Sequence, residues 1–97
     1  MRPELLSQTE IEDNLKEYSN WNLDNNKITR ELVFPNFVSA VGFLNSIAIY
    51  AEKLNHHPDL LIYGWNKLRI TITTFDRGGL TKLDFELAEK IESLIIN

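Results

Sequence analysis

The sequence predicts an α+β domain of two layers: a four-stranded antiparallel sheet covered on one face by two long helices, with a short N-terminal helix, in the order α-β-β-α-β-β-α. Three observations carry this. Residues 36–54 and 80–96 place apolar side chains at helical spacing behind capping residues. Residues 21–34 and 59–75 alternate at period two around short polar breaks, as hairpins do. Hairpins impose antiparallel neighbours, so both long helices are expected on one face, leaving the other face open and partly polar.

The bulk properties fit one domain spanning residues 1–97, 43% hydrophobic and 25% charged, with no linker, low-complexity tract or repeat. A net charge of −4 argues against a phosphate-backbone binder and no nucleic acid partner is expected. The absence of cysteine excludes a disulfide framework, a thiolate nucleophile and a cysteine metal cage. The opening MRPELLSQTE lacks the apolar run of a signal peptide, and no stretch reads as long and apolar enough to cross a bilayer. A cytoplasmic protein is the expectation.

Each element has a local reason. Ser7 and Glu10 form a capping-box pattern ahead of Ile11, Leu15 and Tyr18, predicting a short helix over about 8–18. Trp21 and Leu23 alternate with polar residues, Asp24-Asn25-Asn26 is turn chemistry, and Ile28, Leu32 and Phe34 continue the alternation; Arg30 breaks it. Asn36 caps the middle helix. Its two apolar rows, Phe37-Val41-Leu44-Ala48-Ala51 and Phe43-Ile47-Tyr50-Leu54, make a stripe wider than one sheet face covers, which points to a second contact with another subunit. DLLIYGW and KLRITITTF read as strands joined by a two-residue turn at Asn66-Lys67. That register pairs Trp65 with Leu68, Tyr63 with Ile70 and Leu61 with Ile72 on the core face, and sets Phe75 opposite Pro58 on the open face. Thr81 caps the last helix, whose buried side is Leu83, Leu87, Ile91 and Leu94, and Gly78-Gly79 is a tight loop before it.

Both histidines, His56 and His57, fall between the middle helix and the third strand. The local context is that of a helix stop: Pro58 disfavours helix at His57, and a basic ring suits the carbonyls of a helix C-terminus. The predicted register adds a second reading. It sets both imidazoles free at the mouth of the open sheet face, with Glu52 one helical turn before His56 on the same side, where it could orient that ring. Imidazole is the side chain suited to proton transfer near neutrality. A metal site built from the pair with Glu52 or Asp59 is weaker, because neighbouring histidines on extended backbone diverge and no H-E-x-x-H is present. A serine triad has no G-x-S-x-G to rest on.

The string AEKLNHHP, the following hairpin with its aromatic Trp65, and GGLTKLDF resemble the pterin-4a-carbinolamine dehydratase family, and the order of elements covers nearly the whole chain. The resemblance implies a lyase that removes water from 4a-hydroxytetrahydropterin to give quinonoid dihydropterin, with no metal or organic cofactor, acting as a homodimer or homotetramer on a small pterin substrate, away from any membrane. It makes His56 the main acid–base group, supported by Glu52. His57 would bind the pterin or stabilise charge, Pro58 would shape the turn, and Asp84 matches the motif's last acidic position. Asp84 also follows Thr81 at capping-box spacing, and Glu52 also fits a solvated helix charge. Trp65 fits core packing. The GGLT loop fits turn geometry more simply than anion binding. Where the family usually carries a third histidine this chain has Phe75, an aromatic that suits stacking on a pterin or an oligomer contact. A second implied class is therefore a non-catalytic pterin-binding or protein-interaction module resembling the family's dimerisation cofactors. An assembly aid for an aromatic amino acid hydroxylase is a third.

Overall fold

The computed structural model describes residues 3–95. Its elements are α1 (Gln8–Glu17), β1 (Asn22–Asp24), β2 (Lys27–Val33), α2 (Phe37–Leu54), β3 (Asp59–Tyr63), β4 (Lys67–Ile72) and α3 (Lys82–Leu94), with a 3₁₀ turn over Phe75–Arg77. The strands form one antiparallel sheet in the order β1-β2-β4-β3. The class and element order are those the sequence predicts.

Ile28 on β2 and Leu68, Ile70 and Ile72 on β4 give the sheet's buried face, and Ile47 of α2 with Leu87, Ala88 and Ile91 of α3 close over it. α1 joins the same layer through Ile11, Leu15 and Tyr18, the last stacking on Phe85 with ring centroids 6.4 Å apart. Its capping box is formed on both sides, Glu10 N–H to Ser7 Oγ and Ser7 N–H to Glu10 Oε1.

Arg30, the residue out of pattern in β2, donates from Nε to Glu92 Oε1 of α3 at 2.8 Å, and the Trp21 indole N–H donates to the same oxygen at 2.8 Å. A half-buried cation on the helix-facing side of the sheet is tolerated because a carboxylate and an indole meet it there.

The second hairpin differs from expectation. Tyr63 pairs with Lys67 and Leu60 with Ile70, so the loop is Gly64-Trp65-Asn66, three residues rather than two. The register is displaced by three, an odd number, and every β3 side chain therefore changes face. Leu60 and Ile62 pack on the core, whereas Leu61 is 50% exposed. Trp65 is not core: it is 62% exposed, at φ +60° in the loop. β4 stops at Ile72, so Phe75 lies in the 3₁₀ turn and not opposite Pro58 in a ladder.

The solvent face carries a network across three strands. Glu31 on β2 accepts from Arg69 Nε on β4 at 2.5 Å and from the Tyr63 hydroxyl on β3, and the Arg69 guanidinium lies 5.0 Å from the Tyr63 ring centroid. Burial pushes the Glu31 carboxyl up, but the bonds from Tyr63 and Arg69 outweigh it and hold the group below its ordinary value.

α2 also corrects an expectation. At 18 residues and a mean hydropathy of 1.2 it has the length and apolarity of a short membrane span. In the fold it lies along the sheet through Ala40, Ile47 and Ala51, while Phe37, Val38 and Ile49 stay outside, Val38 at 79% exposure.

Two outcomes test this packing. Ile70→Ala should cost about 2–5 kcal/mol in urea unfolding, whereas Trp65→Asn, at a left-handed surface position, should stay within about 0.5 kcal/mol of the parent; equal losses would contradict the three-residue loop. Because the folded Glu31 carboxyl is depressed, its contribution is present above the ordinary carboxylate value of about 4.3 and is lost as pH falls through the lower folded value. Glu31→Gln should thus destabilise at pH 7 and make no difference at about pH 2, as read from paired unfolding curves.

Candidate active site

The site begins with the way α2 ends. Asn55 takes a left-handed conformation, φ 52° and ψ 42°. Its N–H bonds the Glu52 carbonyl and the His56 N–H bonds the Ala51 carbonyl, both at 3.1 Å. This is the Schellman pattern, and asparagine is the non-glycine residue that tolerates it most readily. The helix therefore stops three residues before Pro58, and the chain reverses into β3 with its two imidazoles on opposite sides. His56 is 8% exposed and turned towards the interior; His57 is exposed. The expectation of two free imidazoles on the open face is corrected for His56.

Asp84, fully buried in the first turn of α3, receives His56. Its Oδ1 lies 2.6 Å from His56 Nε2. Its Oδ2 accepts from the Thr74 hydroxyl and the Thr81 backbone N–H, each at 2.8 Å. With those two donors aimed at Oδ2, Oδ1 is left to accept from His56, an assignment that sets the ring proton on Nε2 and leaves Nδ1 for another partner. Thr74 spends its single proton on Asp84, so the Thr81 hydroxyl donates to Thr74 Oγ1 at 2.8 Å while accepting from the Leu83 N–H at 3.2 Å. Asp84 is thus both cap and imidazole partner. It is closed off from solvent within the chain and holds the His56 ring, so the expected direct contact with a pterin is corrected.

Glu52 does not support His56. Its Oε1 lies 2.6 Å from His57 Nε2, with both side chains largely in solvent, and the predicted pairing is corrected accordingly. The two histidines each have a carboxylate, one buried and one exposed. Pro58 is half-buried between them and β3.

A cleft of about 250 Å³ opens beside the pair. His56, His57, Thr73, Thr74, Phe75 and Asp76 line it. Phe75 reaches it from the 3₁₀ turn, 66% exposed. That turn is closed by Gly78 at φ +70° and by a bridge between Thr74 and Gly79. The GGLT segment is therefore turn geometry, and Asp84 itself occupies the N–H of the helix N-cap. A larger groove of about 710 Å³ between the N-terminal segment and α3 contains neither histidine. Chemistry rather than size selects the smaller one. Among the described residues no three His, Asp or Glu side chains gather to hold a metal ion.

Sequence reasoning missed the Asp84–His56 bond and the two threonines that complete it. Thr74 carried no signal of its own. The usable signal was Asn55, whose left-handed preference sets the helix stop and hence which imidazole turns inward.

A carboxylate-held imidazole at an open cleft is an arrangement able to exchange protons with a bound molecule. Comparison with known proteins gives the family. The chain belongs to the family described as pterin 4 alpha carbinolamine dehydratase, whose pattern matches residues 4–94. A relative from Sulfurisphaera tokodaii, provisionally named a pterin-4-alpha-carbinolamine dehydratase, is 43% identical over 90 residues, 93% of this chain and 96% of the relative. A relative from Solibacter usitatus, with the same provisional name, is 44% identical over 92% of this chain and 93% of its own length. The crystal structure of a transcriptional coactivator/pterin dehydratase from Brucella melitensis matches with a TM-score of 0.87 and 33% identity, over 93% of this chain and 97% of that one. A pterin dehydratase-like protein identified as a RuBisCO assembly factor of the alpha-carboxysome shares the fold, at a TM-score of 0.60, 17% identity and coverage of 76% of this chain and 84% of that one.

Asp84→Asn keeps an acceptor for the Thr81 N–H but alters the partner of His56. It should cost about 1–3 kcal/mol, against about 3–5 kcal/mol for Asp84→Ala, which leaves the buried imidazole unpaired. Imidazole ¹⁵N spectra should show His56 protonated at Nε2 in the parent and a changed tautomer balance in Asp84→Asn. A parent spectrum with the proton on Nδ1 would contradict the assignment.

Proposed function

We propose that the protein is a 4a-hydroxytetrahydrobiopterin dehydratase, a hydro-lyase that serves tetrahydrobiopterin recycling. The observation that carries this is the buried His56–Asp84 pair at 2.6 Å on the wall of a cleft that also holds His57 and Phe75. The reaction needs a base for the ring N–H proton and an acid for the departing 4a-hydroxyl. His56 takes the ring proton on Nδ1, and Asp84 balances the imidazolium that forms. The nitrogen lone pair then expels the hydroxyl, which leaves as water with a proton from the His57 side, where Glu52 holds that imidazole. The product is the quinonoid dihydropterin, and one proton has moved in each direction. Acid–base groups of this kind contribute about 10²–10⁴-fold. Phe75 offers a flat apolar surface where a titrating side chain would otherwise stand, and this favours pterin binding over proton transfer at that wall.

The same reading includes a cytoplasmic location and a homodimer or homotetramer, the association being supported by the outward apolar residues Phe37, Val38 and Ile49 of α2. Those residues and the non-titrating Phe75 together favour a second reading, a pterin-binding or protein-interaction module without turnover.

In a hydroxylase-coupled assay the parent should accelerate carbinolamine loss and His56→Ala should be at least about 10²-fold slower. Parent turnover equal to the buffer control would refute the lyase. Calorimetric binding of a dihydropterin at the histidines without turnover would favour the module.

A further inference from the structure

Phe75 has a partner that the proposed mechanism does not use. The Lys27 ammonium, from the first residue of β2, stands over the Phe75 ring, 5.7 Å from its centroid. The backbone explains the meeting. Ile28 pairs with Ile72, so Lys27 falls beside Thr73 at the end of β4. Asp59 pairs with Thr71, so His57 falls beside Thr73 on the other side. Both ladders stop one or two residues short of this point, and beyond them Thr73 lies between the Asn26–Lys27 end of β2, through its bond to the Asn26 carbonyl, and His57, with which it lines the cleft. Two bonds fasten this corner: Thr73 Oγ1 donates to the Asn26 carbonyl at 2.7 Å and Asn26 Nδ2 donates to the Gly78 carbonyl at 3.1 Å. Among the described residues no carboxylate forms an ion pair with Lys27, although Asp24 stands opposite it in the β1–β2 ladder, and the Phe75 ring is its side-chain partner. Lys27 is not part of the cleft lining, whereas Phe75 is.

We propose that Lys27 is a positioning residue for the pterin: its ammonium holds one face of the Phe75 ring, so that the ring stands as a fixed wall across the cleft from His57 and the flat heterocycle lies between them. This rests on the pterin reading of the site. A cation on one face draws π-density towards itself, and the ring then meets an electron-rich reduced pterin more favourably. The group works on binding through Phe75 and moves no proton. Asp76, the carboxylate in the same lining, has its own partner and is not needed for this role.

The test has two parts. In the free protein, proton NMR should show the Lys27 ε-methylene shifted upfield by the Phe75 ring current, and Phe75→Leu should abolish that shift. In calorimetry with 7,8-dihydrobiopterin, Lys27→Met should weaken binding about 2–5-fold, Lys27→Arg should restore it, and Lys27→Met in a Phe75→Leu background should add nothing. In turnover the loss should fall on KM and not on kcat. Parent-like pterin binding by Lys27→Met would overturn the role of Lys27 while leaving the pterin site intact. A parent that binds no pterin would overturn both, and an additive loss in the double variant would show that Lys27 acts independently of Phe75 and so refute the mechanism.

Discussion

The buried carboxylate of Asp84 is the constraint on which the rest of the site depends. It joins three chain segments that are distant in the fold's layout: the end of α2 through His56, the end of β4 through Thr74, and the start of α3 through Thr81. An isolated carboxylate taken out of water costs several kcal/mol, so it persists only where donors meet its lone pairs. Here three donors do, and one is the N–H of a helix N-cap, where the helix dipole favours negative charge. Satisfying the anion and placing the imidazole are therefore one structural act. The path from Thr74 to Thr81 becomes short and closed, and Phe75 is forced out of the core on the turn between them.

The two histidines show how one residue type acquires two environments from adjacent positions. The left-handed Asn55 ends α2, and the chain that follows alternates its side chains, one inward and one outward. His56 meets a partner in low dielectric, where a hydrogen bond is strong and its geometry fixed. His57 meets Glu52 in solvent, where the Coulomb energy of the pair is screened and its geometry looser. A rigidly held imidazole and an adaptable neighbour result without any further element.

The class and the element order are legible in the sequence because each rests on local chemistry: capping boxes at Ser7 and Thr81, period-two alternation in β4, the helix stop before Pro58. What was not legible rests on backbone detail that hydrophobic pattern does not encode. The segment YGWNK admits a two-residue or a three-residue loop, and alternation alone cannot choose between them, because β3 has apolar side chains on both faces: Leu60 and Ile62 inward, Leu61 and Tyr63 outward. The left-handed Gly64 and Trp65 decide it. The pairing of Glu52 was misread for a similar reason. Helical spacing puts it near His56 only if the helix continues, and Asn55 stops it first. The partnership of Asp84 with His56 spans 28 residues and no local rule reaches that far.

These features divide the site into a fixed part and an adjustable part. The His56–Asp84–Thr81 chain is buried and shared with the capping of α3, so a change in any member alters folding as well as chemistry. Phe75, His57 and Glu52 stand outside the core, and substitutions there leave the fold's packing untouched. An exposed phenylalanine gains nothing from burial in the free chain, yet it is set at the cleft's edge by a turn that Asp84 itself organises. A buried pair and an exposed rim are thus physically separable, because the pair is tied to the capping of α3 and the rim is not. In this chain the rim presents an exposed, non-titrating ring at Phe75, and the titratable groups beside the cleft are the two adjacent imidazoles and Asp76.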